Sequence, residues 1–206
     1  MTLDSLRPYI SGFLDPFVRT FDRLGMGPDG VSVIAGIMAI AAGVAFYLGG
    51  IASPVWYVGA GFLVFLNGWL DIVDGALARE QGVSSPAGDL LDHVLDRYAD
   101  IVMIGGLAAG IGDYWLGFLA VTGVVMTSYL GTQAQAVGLD RVYGGLVGRA
   151  DRLAIIGIVG FLAYPLESFE LGGYGPIGLL LLFLAVVGHV TALQRFTYAR
   201  KALVAK

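Results

Sequence analysis

At 206 residues the chain has the length of one domain. Only 14% of its residues are charged, against about a quarter in soluble domains, while 57% are apolar and mean hydropathy is +0.78, which excludes an ordinary soluble protein. The net charge of −4 includes no basic tract, so nucleic acid is not an expected partner, and the lack of cysteine rules out disulfides, thiolate metal sites and a cysteine nucleophile.

In residues 4–24, Leu6, Ile10, Phe13, Leu14, Phe17, Val18, Phe21 and Leu24 recur at helical spacing. Asp4, Arg7, Asp15, Arg19, Asp22 and Arg23 lie between them, predicting an amphipathic helix in the membrane interface. Pro8 and Pro16 are expected to break or bend it. Acids and prolines stand where a signal peptide needs an apolar core, so no such peptide is expected. Gly25 to Gly30 reads as a turn.

Six apolar segments follow, near 31–49, 54–77, 87–111, 114–138, 151–166 and 174–197. Most have the roughly 20 residues that a span requires; the fifth is short and must extend through its polar ends. The expected fold is an all-α membrane protein with six transmembrane helices and an N-terminal interfacial helix. It forms a single domain over 1–206, with the interfacial helix in 1–26 and the core in 31–199. Abundant glycines such as Gly105, Gly106, Gly110, Gly157 and Gly160 point to close helix packing rather than chemistry.

Basic residues set the orientation. Arg7, Arg19, Arg23, Arg79, Arg141, Arg149, Arg152, Arg195, Arg200, Lys201 and Lys206 all flank one side of the six segments. The opposite connections carry only Asp113, Glu167 and Glu170. The basic side, with both termini, is therefore expected in the cytoplasm, and the acids next to Arg79 open the same way. Arg97 is the exception, inside the third segment beside the acidic residues.

Those acids are the chemical signal. Asp71 and Asp74 are three apart, and Asp92 and Asp96 four apart, so each pair shares a helix face. A short turn between Gly82 and Pro86 joins the two helices and is expected to bring the pairs together. Each charge at mid-membrane costs about 2.5–3.5 kcal/mol on insertion-derived scales, so the cluster needs cations. Oxygen ligands of this kind suit Mg²⁺, Mn²⁺ or Ca²⁺. Helix-end acids facing solvent would explain one or two such residues but not four at these spacings. Asp89 and Asp100 extend the acidic face, Asp89 toward the nucleotide or ligands and Asp100 toward a partner such as Arg97. His93 and His189 read as interface or packing residues.

The pattern Asp71-x2-Asp74-Gly75-x2-Ala78-Arg79-x8-Gly88-x3-Asp92-x3-Asp96 resembles the full signature of the CDP-alcohol phosphotransferases. The resemblance implies transfer of a phosphatidyl-type group from a CDP-activated lipid to the hydroxyl of a polar alcohol, with release of CMP. It implies Asp71, Asp74 and Asp92 as ligands of one or two divalent ions (Mg²⁺ or Mn²⁺), and Asp96 near the metals as general base. Gly75 and Ala78, small residues on the stripe of Asp71, would admit the nucleotide beside Asp71 and Asp74; helix packing would also explain them. Gly88 would serve the cytidine end. Arg79 reads equally as a phosphate partner or as a cytoplasmic anchor. The lipid tails would lie between helices open to the membrane lipids, and family members are commonly homodimers.

Residues Tyr129 to Arg152 resemble the inositol-phosphate-using branch of actinobacteria and archaea. The acid–arginine end of that stretch is present as Asp151-Arg152, but Gln133 and Gln135 stand where cationic side chains are expected. Losing two guanidiniums weakens the case for a doubly charged acceptor phosphate. Arg141, Arg149, Arg152 and Arg195 remain as acceptor-binding candidates, with cytoplasmic anchoring explaining them as well. Inositol phosphate, glycerol phosphate, serine and other alcohols stay open. Two other readings compete. An intramembrane prenyltransferase is hinted at by Asn67-x3-Asp71, but no second acidic cluster follows Asp100. A cation transporter would use the acids too, but internal repeats and broken helices are absent.

Overall fold

The computed structural model describes residues 7–204, with side chains from Gly12 onward. Asp4, Leu6 and Lys206 of the sequence reading lie outside these residues, as do the side chains of Arg7, Pro8 and Ile10. The described residues form seven helices: α1 (Arg7–Arg23), α2 (Pro28–Ile51), α3 (Val55–Glu80), α4 (Pro86–Ile111), α5 (Tyr114–Ala136), α6 (Arg149–Ala163) and α7 (Pro176–Val204). The predicted segment limits agree with these bounds to within a few residues, apart from the longer C-terminal end of α7.

Local chemistry explains where the helices start and stop. Gly25 has φ +67° and Pro28 opens α2 at the first helical position, so the predicted turn ends earlier than Gly30. Ser85 caps α4 by accepting from Gly88 N at 3.1 Å, with Pro86 following it. Gly112, at φ +72°, ends α4, and Asp113 caps α5 through Leu116 N at 2.9 Å.

Helix α1 continues through Pro16 rather than breaking there. Packing on both sides of the proline holds it: Leu14 and Val18 are buried against Val31, Leu70, Val73 and Leu77 of α2 and α3. Phe17 meets Trp69 edge to face at 5.3 Å, and Gln81 Nε2 donates to Asp22 Oδ1 at 2.9 Å. Leu14 and Val18 of the predicted apolar stripe are thus core, while Phe13, Phe17 and Leu24 remain exposed.

By length and composition α2, α3, α5 and α7 are able to cross a membrane. Their outer faces support that reading: Val33, Ile37, Ile40, Val44 and Ile51 form an exposed apolar stripe along α2. A soluble monomer rarely presents such a surface. This is an integral membrane protein. Helix α4 is long, but acids occupy its first half, and α6 has only 15 residues.

Helix α2 packs extensively on both α3 and α4, α5 on α7, and α6 on α3. Glycines make these approaches possible. A Cβ on Gly106 would run into the backbone of Gly43, one on Gly61 would lie 2.8 Å from Gly157 O, and one on Gly188 would lie 2.8 Å from the Gly123 carbonyl carbon. The packing role read from the sequence therefore holds for Gly106, Gly110, Gly157 and Gly160. Gly105 is different, because a Cβ there meets nothing within 4 Å. We expect Gly106→Ala to lower stability by about 1–3 kcal/mol through overpacking, with Gly105→Ala close to neutral. Thermal unfolding of the two variants in one detergent checks this.

Candidate active site

The polar site forms at the end of the bundle where α3 stops and α4 and α6 begin. The sequence suggested that α3 and α4 would lie side by side. They touch little, because α2 packs between them and contributes Ser32, Ala35 and Gly36 to the site. Small residues on α2 let this happen; a Cβ on Gly43 would sit 2.6 Å from Val102 O of α4.

The acids nevertheless converge. One carboxylate oxygen from each of Asp71, Asp92 and Asp96 lies within 4.8 Å of the others. Hard oxygen donors so arranged fit Mg²⁺ or Mn²⁺. Asp74 lines the same cleft but turns toward α2, where Ser32 Oγ donates to its Oδ2 at 2.6 Å. Ser32 was not singled out from sequence; its position three residues after Asp29, in an otherwise apolar helix, was the available signal. Asn67, the hint toward a prenyltransferase, instead ties α3 to α2 by donating to Ala35 O at 2.9 Å.

Arg149 reaches into the cluster from the first position of α6. Its guanidinium meets Asp71 Oδ2 at 2.8 Å and Asp96 Oδ1 at 2.5 Å, joining α3 to α4. The sequence had placed it among the acceptor ligands, and no local pattern could tell it from Arg152. Arg152 itself is buried and bonded to Asp100 at 2.6 and 3.3 Å. The expected Asp100–Arg97 pair is also present, at a longer 3.9 Å, so Arg152 is the closer partner of the acid. Arg97 lies nearer to Asp96, at 3.5 Å.

His93 is also more than a packing residue. Its Nδ1 lies 2.8 Å from Asp89 O and 3.8 Å from Asp92 Oδ2, and Arg141 contacts its Nε2. The Arg141–His93 contact ties the 137–148 loop to the start of α4, and within the loop Arg141 stacks on Tyr143 at 5.2 Å. Arg195 donates to the carbonyls of Thr127 (2.8 Å), Gly144 (2.8 Å) and Tyr143 (3.1 Å) from the other side of that loop. A cavity of about 720 Å³ lies between this loop and α7 rather than over the acids. Arg141, Tyr143, Arg195 and Tyr198 line it, and Arg141 connects it to the acidic cleft through His93.

At the opposite rim, Gly75 and Ala78 are half-buried, and Arg79 is exposed. A Cβ on Gly75 would lie 3.5 Å from the Arg79 guanidinium, and one on Gly88 would lie 3.4 Å from Asp29 Oδ1. Asp29 thus stands beside the predicted nucleotide end, which the sequence did not indicate.

Residues 26–197 match the family model described as CDP-alcohol phosphatidyltransferase. The chain belongs to this family. Among its relatives is the archaetidylinositol phosphate synthase of Methanothermobacter thermautotrophicus, 31% identical over 98% of this chain and 95% of that protein. Crystal structures of the phosphatidylinositol phosphate synthase of Mycobacterium tuberculosis are also similar. The complex with manganese and citrate has a TM-score of 0.76 and 26% identity, covering 90% of this chain and 88% of that one. The complex with CDP-DAG has a TM-score of 0.75 and 25% identity, covering 92% and 94%. As a CDP-alcohol phosphatidyltransferase, this chain is a membrane enzyme that moves a phosphatidyl-type group from a CDP-activated lipid to an alcohol and releases CMP. Divalent-metal chemistry belongs with that activity, and the trio of Asp71, Asp92 and Asp96 is suited to it. The prenyltransferase and transporter readings fall with this assignment.

Proposed function

We propose that the enzyme uses a phosphorylated polyol as acceptor, inositol phosphate first and glycerol phosphate second. Support comes from the names of its relatives and from the basic lining of the large cavity. Arg141 and Arg195 line that cavity and are the best-placed contacts for an acceptor phosphate; Arg149 and Arg152 already bind carboxylates.

The carrying observation is the meeting of Asp71, Asp92 and Asp96, with Asp74 alongside, on the residues of the family's motif. Asp71, Asp74, Asp92 and Asp96 would hold one or two Mg²⁺ or Mn²⁺ ions. Bound there, the metal neutralises charge on the pyrophosphate oxygens as it develops in transfer. Gly75, Ala78 and Gly88 leave room for the nucleotide, and Arg79 at the rim faces its phosphates. Asp96 takes the proton from the acceptor hydroxyl, whose oxygen forms the new bond to the lipid-bearing phosphorus. The bond from that phosphorus to the bridging oxygen breaks, and CMP leaves with it.

All six long segments cross the bilayer in this reading. Helix α6, about 22 Å long at 1.5 Å per residue, reaches across with the turns that follow Ala163. Helix α1 lies at the interface with Phe13 and Leu24 toward lipid, the site and both termini face the cytoplasm, and the whole chain is one domain. Two copies form a homodimer.

CMP release from a CDP-lipid with Mg²⁺ or Mn²⁺, measured against inositol phosphate, glycerol phosphate and serine, tests the acceptor. Preference for serine would refute the phosphate reading. Asp71→Ala is expected to lose donor binding by at least tenfold in calorimetry; an unchanged affinity would remove Asp71 from the ligand set.

A further inference from the structure

Arg149 holds two of the three carboxylates that a divalent ion would need. Its two terminal nitrogens reach Asp71 at 2.8 Å and Asp96 at 2.5 Å, and both acids belong to the trio whose oxygens lie within 4.8 Å. A small hard cation such as Mg²⁺ binds carboxylate oxygens at about 2.0–2.1 Å. A guanidinium at hydrogen-bond distance from two of the same carboxylates would press one cation against another. Formal charge points the same way: one guanidinium offsets a third of the charge on three carboxylates, and a divalent ion offsets two thirds.

We propose that Arg149 is an exchangeable internal counter-ion. It screens the acids while the protein is metal-free, then releases Asp71 and Asp96 when a divalent ion binds. The proposal rests on reading Asp71, Asp92 and Asp96 as metal ligands.

The two arginines of α6 differ in the way this requires. Arg152 is gripped in a fork by a single carboxylate, with side-chain exposures of 4% and 1% for the pair. Arg149 splits its contacts between two helices, is 18% exposed, and has a buried Nε without a hydrogen bond. It is also the first residue of its helix, directly after the long 137–148 connection. Arg152 is therefore fixed, whereas Arg149 is attached only through groups that have a stronger alternative partner.

The experiment uses full-length protein without substrate, Mn²⁺ as the probe, and three readouts. In Arg149→Gln the metal-free melting temperature falls, saturating Mn²⁺ restores the wild-type value, and Mn²⁺ affinity by calorimetry rises about tenfold. Arg149→Lys keeps the charge without the fork, and its affinity falls between the two; it also serves if the glutamine variant does not fold. In a Mn²⁺-soaked structure of the wild type, the guanidinium no longer bridges Asp71 and Asp96. Weaker or unchanged Mn²⁺ binding in Arg149→Gln, a melting deficit that persists in saturating Mn²⁺, or both ion pairs intact beside a bound ion would overturn the exchange. If wild type and variants all fail to bind Mn²⁺, the metal-ligand reading itself falls, and the exchange with it.

Discussion

Asp96→Asn is expected to lower CMP release by about 10²–10⁴-fold, the usual contribution of a positioned general base, while CDP-lipid binding persists. Asparagine has nearly the same shape, so the surroundings of Asp96 survive the change, but its amide cannot take up a proton. The ion pair from Arg149 and the longer one from Arg97 both lose their carboxylate. In the proposed site Asp71, Asp74 and Asp92 would remain to hold the donor's pyrophosphate through a metal, which is why binding and turnover should separate. Calorimetry with the CDP-lipid and CMP release from the same preparation check both halves. Turnover within tenfold of wild type would take the base role away from Asp96. Loss of donor binding together with turnover would make it chiefly a metal ligand.

The second large effect is structural. Arg152→Ala should destabilise the protein by about 3–5 kcal/mol, because it leaves the Asp100 carboxylate buried without its charge partner. Asp100 is 1% exposed and its nearest other cation, on Arg97, is 3.9 Å away. The pair joins the middle of α4 to the start of α6, one turn beyond the residues that carry Asp96 and Arg149. Its loss should therefore also reduce turnover. Replacing both residues by leucine should cost less than the single change, since no unpaired charge remains. Thermal unfolding of the single and double variants gives the answer; equal losses would mean that the pair itself, and not the orphaned acid, carries the stability.

Much of the site was legible before the fold was known. Asp71, Asp74, Asp92 and Asp96 stand at helical spacings on two segments joined by a short turn, and three of the four supply the converging oxygens. Asp74 departs toward Ser32, because α2 lies where the sequence suggested direct contact between α3 and α4. Nothing in the hairpin itself indicates a third helix packing between its arms. The signal sat elsewhere, in Gly43 and Gly106, whose missing side chains allow α2 to approach α4.

The arginines mark the limit of sequence reading. Arg141, Arg149, Arg152 and Arg195 look alike in sequence, each basic and each near one end of an apolar segment. In the fold, one contacts His93, one bridges Asp71 and Asp96, one is locked to Asp100, and one braces three carbonyls. Composition and helical period, acting within single segments, determined by themselves that the chain is a helical membrane protein with acids grouped at one end. Only the tertiary structure decided which cation faces which acid. Such pairs span tens of residues, 52 between Asp100 and Arg152, and depend on which helices pack together. A guanidinium follows whatever carboxylate the packing brings within reach, and no local spacing records that choice.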